Sequence, residues 1–89
     1  MARDIQLTLI GKPGCHLCDD AREVVQAVVA EFGSDATRNI SLAEQSILDD
    51  EALRARYAEE IPVLLIDGEV HTYWRVDPVR LKTALCAKG

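Results

Sequence analysis

Residues 5–18 read IQLTLIGKPGCHLC, and the change of pattern inside this stretch decides the fold. Ile5 to Ile10 alternates at first and then turns continuously apolar, which is the mark of a strand. Gly11-Lys12-Pro13-Gly14 breaks that run with loop-forming residues. From Cys18 onward the period becomes helical: Ala21, Val25, Val28, Val29 and Phe32 recur on one side, with Asp, Arg, Glu and Gln between them. Gly33 suits a left-handed cap that would close this helix.

Outward from this core the chain continues in the same style. Ala36 to Leu42 alternates weakly and is polar, as expected of a strand at a sheet edge. Ser46, followed three residues later by Asp49, reads as a helix cap, with the helix running to about Ala58. Ile61 to Ile66 (IPVLLI) is the most apolar stretch and reads as a buried central strand. Asp67-Gly68 is a two-residue hairpin signal, and Glu69 to Arg75 returns as the partner strand. Asp77-Pro78 supplies a cap and a first helical residue for a last helix that carries Leu81 and Leu85 and ends near Gly89. The order is therefore β-α-β-α-β-β-α. Its first half is a βαβ unit with a right-handed crossover between parallel strands, and the hairpin adds two antiparallel ones.

The chain has 89 residues, enough for one domain spanning residues 1–89. A domain of this size buries only about 60% of its unfolded surface, so any active site must lie on the fold itself. Ten basic residues against fifteen acidic ones give a formal charge of −5, and the basic residues are scattered. No nucleic-acid partner is expected, because phosphate neutralisation needs a basic footprint. An anionic membrane surface is disfavoured for the same reason. No apolar run is long enough to span a bilayer or to serve as the core of a signal peptide. Three cysteines, two of them three positions apart, do not make a secreted disulfide framework. They fit a reducing, cytoplasmic compartment, where they point to catalysis or metal binding.

Cys15 and Cys18 stand where the loop becomes the helix, and a three-residue spacing puts them side by side on one helical face. Cys15 falls at the helix start, where free backbone N–H groups favour a thiolate, the nucleophilic form. Cys18, one turn further in, is expected to act as the resolving thiol. Protonated His16 and nearby Lys12 would assist a thiolate or a leaving group, while Asp19 and Asp20 oppose it. Zinc is the competing reading. It needs four ligands, and the remaining soft candidates, His71 and Cys86, would have to converge on the pair. Pro62 either starts its strand or forms a cis bend that leaves the Ile61 backbone free to pair with a substrate peptide. Trp74 reads as a core or sheet-covering residue, with a role beside the redox site as its second reading. His71 reads as facing solvent or a helix. Cys86 reads as a packed or semi-exposed thiol without function, with a regulatory site or an intermolecular disulfide as the alternative.

A strand, Gly-Lys-Pro-Gly-Cys-His-Leu-Cys, a helix, and Ile61-Pro62 ahead of an Asp67-Gly68 hairpin together resemble the glutaredoxin branch of the thioredoxin superfamily, especially small bacterial glutaredoxin-like proteins with a C-x-L-C centre. The resemblance covers nearly the whole chain. It implies a thioredoxin-like α/β fold, a four-stranded mixed sheet flanked by three helices. It also implies a thiol–disulfide oxidoreductase with Cys15 as nucleophile, Cys18 as resolving thiol and Pro62 as cis-proline. No tightly bound cofactor is expected; glutathione or another small thiol would be the co-substrate, with Lys12 and Ile61 at the matching binding positions. Partners would be disulfide-bearing proteins or small thiols, and the protein is expected to be a monomer. The chain departs from the family pattern in three places. His16 follows the first cysteine instead of proline, Glu60-Ile61 replaces Thr-Val before Pro62, and Trp74-Arg75-Val76-Asp77-Pro78 stands where glutaredoxins carry a Gly-Gly and Asp turn. A module that binds zinc or an iron–sulfur cluster, or a redox-silent adaptor, on the same fold is the alternative function.

Overall fold

The alternation of burial along residues 3–11, with Ile5, Leu7 and Leu9 buried and the residues between them more open, is that of a strand packed on one face. The computed structural model describes residues 3–33 and 37–88. Its elements follow the expected order: β1 (Arg3–Gly11), α1 (His16–Glu31), β2 (Arg38–Ser46), α2 (Glu51–Tyr57), β3 (Val63–Ile66), β4 (Glu69–Tyr73) and α3 (Pro78–Lys88). They form a four-stranded mixed sheet in the order β2-β1-β3-β4. β1 and β2 are parallel, from Arg3↔Arg38 to Gly11↔Ser46. β3 lies antiparallel to β1, with Leu7↔Ile66 and Ile10↔Val63 paired, and β4 folds back on β3. This is the thioredoxin-like arrangement.

The two faces of the sheet are covered unequally. Ile5, Leu7, Leu9, Leu64 and Ile66 pack with Ala21, Val25 and Val28 of α1 and with Leu81 and Leu85 of α3. On the other face Ile10 and Val63 meet Ile47 and Tyr57, the latter from the short α2. The small layer covers only the end of the sheet where β1 finishes. No helix of the described residues is long and apolar enough to cross a membrane.

Several boundaries differ from the sequence reading. β2 runs on to Ser46, because its ladder with β1 continues to Gly11. Ser46 is therefore a strand residue, and Asp50 caps α2 by accepting the Ala52 and Leu53 amides at 2.8 and 3.3 Å. α1 closes without a left-handed Gly33: the Phe32 and Gly33 amides tighten the last turn onto the Val29 and Ala30 carbonyls. β4 stops at Tyr73, since Trp74 turns the chain out of the sheet. Ala36, the expected start of the second strand, and Gly89, near the expected end of α3, lie outside the described residues. The hairpin is as expected, with Asp67 at φ +51° and Gly68 at φ +85°, both positive as a primed turn requires. Asp77 caps α3 through the Val79 amide at 2.9 Å.

Candidate functional site

The loop from β1 to α1 is built by local rules. Gly14 takes φ +76°, a conformation glycine adopts without strain. The next residue, Cys15, is the N-cap of α1, at φ −95° and ψ 112°. Its Sγ accepts the Cys18 amide at 3.2 Å, taking the place that a serine or aspartate oxygen fills at most helix starts. Its carbonyl receives the Asp19 amide at 3.0 Å, the first bond of the helix. Both cysteines are free thiols.

Their environments differ. Cys15 is partly exposed, whereas Cys18 is only 1% exposed. Burial pushes the Cys18 thiol up to about 11. Its hydrogen bond to Cys15 and the negative charges of Cys15 and Asp19 add to the shift, while the Lys12 main-chain amide counters it. Gly11 makes room for this sulfur. A Cβ on Gly11 would stand 2.8 Å from Cys18 Sγ, well inside van der Waals contact, so β1 can carry only glycine there without displacing the thiol. The sequence reading took Gly11 as a loop signal. Its place directly before the Cys-x-x-Cys loop, at the end of an apolar strand, was the available clue to a close backbone approach.

Pro62 follows a cis peptide bond. The pairing of Ile10 with Val63 carries it to the level of Gly11, so it lies at the same end of the sheet as the cysteines. Among the described residues, neither the N–H nor the C=O of Ile61 has a hydrogen-bond partner. Lys12 and His16 are both exposed. Lys12 lines a cleft of about 380 Å³ that also reaches Cys18, Arg22, Glu44 and Asp49 on the β2 flank of α1. Arg22 spans this cleft, bonded to Glu44 and to Asp19.

The opposite flank of α1 holds a second groove, of about 230 Å³, between Leu17, Ala21 and Val24 on the helix and Trp74, Arg75 and Val76 after β4. Lys12 is not among the residues that line it. Trp74 corrects the sequence reading: it is neither core nor sheet cover but 55% exposed, because its φ of +65° turns it away from the sheet. Val76 is the residue of this segment that enters the core. His71 packs toward α3, where Arg80 donates to its carbonyl at 3.2 Å. Its Nε2 is buried without a partner, and burial together with the Arg80 charge lowers its pKa. Among the described residues, no three His, Cys, Asp or Glu side chains converge as a metal ion would require. His71 and Cys86 do not join the pair.

A family model described as Glutaredoxin-like domain (DUF836) matches residues 6–86. Uncharacterized proteins of Mycobacterium bovis and Mycobacterium tuberculosis are each 33% identical over 78 residues, spanning 86% of this chain and 78% of theirs. The X-ray structure of a protein from X. campestris is 32% identical with a TM-score of 0.70, covering 91% of this chain and 96% of that one. The solution structure of a protein from Nitrosomonas europaea has the same fold, at 21% identity and a TM-score of 0.69, with 96% and 95% of the two chains covered.

Proposed function

The chain belongs to the glutaredoxin-like domain family, and from that premise we propose that it is a thiol–disulfide oxidoreductase working through Cys15 and Cys18. The observation that carries this reading is the unequal setting of the two sulfurs. Cys15 is reachable and caps the helix, while Cys18 is enclosed behind it with its thiol held protonated.

That division suits a two-step exchange. The Cys15 thiolate attacks one sulfur of a substrate disulfide; a bond forms between them and the other substrate sulfur leaves with the electron pair. Cys15 has then lost its charge, and the part of the Cys18 shift that came from it disappears. Cys18 releases its proton, attacks Cys15, and expels the second substrate thiolate. The protein is left with a Cys15–Cys18 disulfide, two electrons poorer. Two equivalents of a small thiol, glutathione or another, would restore it.

In this scheme Pro62 and Ile61 border the reacting sulfurs, with the unpaired Ile61 backbone offered to an extended substrate. Lys12 supplies positive charge near departing thiolates, and His16 can donate a hydrogen bond to them. The protein acts as a single-domain monomer in the cytoplasm. Its partners are disulfide-bearing proteins or small thiols, and with a charge of −5 it is not built for nucleic acid or anionic membranes.

The test is a pair of variants assayed for reduction of hydroxyethyl disulfide and insulin. Cys15→Ser is expected to abolish both activities. Cys18→Ser is expected to accumulate a mixed disulfide, visible as added mass on Cys15. Retained activity in Cys15→Ser would overturn Cys15 as the nucleophile, and stoichiometric zinc that survives gentle chelation would replace this reading with the metal-binding one.

A further inference from the structure

Trp74 is held in a conformation that its size opposes. At Gly14 and Gly68 the chain uses glycine for positive φ, and at position 67 the small polar aspartate of the hairpin turn; at position 74 it uses its one tryptophan, at φ +65°. In that region a side chain crowds its own carbonyl, so a bulky residue is rare there. The bend is fixed from several sides. The Trp74 amide donates to the Pro62 carbonyl and the Arg75 amide to the Tyr73 carbonyl, each at 2.7 Å. The Thr72 hydroxyl donates to the Arg75 carbonyl at 3.1 Å, and the indole N–H to the Glu59 carbonyl at 3.3 Å. Burial does not compensate for the strain, because the ring is 55% exposed. A strained backbone that holds a large apolar group out in solvent points to a role in binding rather than in folding.

The ring has a defined counterpart. It forms one wall of the groove whose other wall is Leu17, Ala21 and Val24. Leu17 is itself 44% exposed and stands in the first turn of α1 between the two cysteines in sequence, two positions from Cys15. Through the Trp74–Pro62 hydrogen bond the same bend is tied to the segment with the unpaired Ile61 backbone. The groove is lined mainly by hydrocarbon, with Asp20 and Arg75 bringing charge from opposite walls. Glutathione offers carboxylates, an ammonium group and a thiol, but no apolar side chain to fill such a groove. An extended polypeptide does, and it can pair with Ile61 at the same time.

We infer that the Trp74 bend is a specificity element: with Leu17 and Val24 it receives an apolar side chain neighbouring the reacting cysteine of a polypeptide disulfide. The inference rests on the dithiol reading above. The reaction is unchanged. Cys15 bonds to the peptide sulfur and the leaving thiolate takes the electron pair; the groove acts only on which peptide is held.

The test uses two decapeptides, each with one cysteine in mixed disulfide with 5-thio-2-nitrobenzoate, one with leucine and one with glycine beside that cysteine. Release of thionitrobenzoate is followed in single turnover against peptide concentration. The wild-type protein should half-saturate with the leucine peptide at about 10-fold lower concentration than with the glycine peptide. In Trp74→Gly that ratio should fall to near one while the thermal midpoint holds or rises, since glycine accepts the bend. Leu17→Ser, which changes the opposite wall and leaves the bend intact, should lower the ratio as well; Trp74→Phe should keep it. An undiminished ratio in Trp74→Gly and Leu17→Ser, or no leucine preference in the wild type, overturns the inference while leaving the dithiol reading in place. Failure of the wild type to release thionitrobenzoate from either peptide overturns both.

Discussion

At the scale of single residues, the candidate site separates two sulfurs that the sequence presents as a matched pair. Cys18 lies one turn into α1 and against the bare backbone of Gly11, so water is removed from around its sulfur and its thiol is pushed up to about 11 from 9.0. The sign of the consequence for stability follows directly. Between the two values the unfolded chain has lost the Cys18 proton and the folded chain has kept it, so the folded state binds more protons and stability falls as pH rises. We expect unfolding free energy, measured with urea from pH 8 to 11, to decline as pH rises above about 9, and Cys18→Ser to remove that part of the slope. The Cys-x-x-Cys motif and Pro62 were legible in the sequence because spacing and residue type carry them. The inward setting of Cys18 was legible only as a position on a helix. Its enclosure depends on β1, which touches it through Gly11. Trp74 was misread because tryptophan usually lowers its free energy by burial, and nothing local announces the positive φ that turns it outward.

At the scale of elements, periodicity together with cap and turn signals located the helices and strands of the described residues, and errors gathered at the ends. The second half of β2 shows why. Ala43, Glu44, Gln45 and Ser46 have no strand-like apolar content, yet they are strand because β1 extends beside them and pairs as far as Gly11. With Ser46 held in the ladder, the capping role moves to Asp50, whose carboxylate takes two amides of α2. Asp50→Ala should therefore cost about 1 kcal/mol in urea or thermal unfolding. Ser46→Ala, which loses only the bond from the Leu48 amide, should cost less. Equal effects would contradict the assignment of the cap. The end of α3 shows the same dependence on distant residues. The Leu85 and Cys86 carbonyls receive Arg38 of β2 at 3.1 and 2.9 Å, a partnership across 47 and 48 positions that no local pattern reveals.

At the scale of the whole molecule, the candidate site sits where both layers of the core meet one end of the sheet. Gly11 pairs in β1, its neighbour Ile10 anchors the α2 layer, and Cys18 beside it belongs to α1 in the thicker layer. Exposure of Cys18 should thus require the molecule to open as a unit. We expect its alkylation in urea to track loss of far-UV circular dichroism in a single transition, with a slope of about 1 kcal/mol/M, while Cys15 and Cys86 react before unfolding. Labelling of Cys18 ahead of that transition would mean that α1 frays independently. The sequence by itself determined the order of elements, the apolar faces, the hairpin and the presence of two thiols one helical turn apart. Each of these follows from local preference or from a period that repeats along the chain. Only the tertiary structure decided which sulfur is enclosed, where Trp74 points, and on which flank of α1 each groove lies. Those outcomes are set by contacts between residues far apart in the chain, and a local pattern holds no information about what will pack against it.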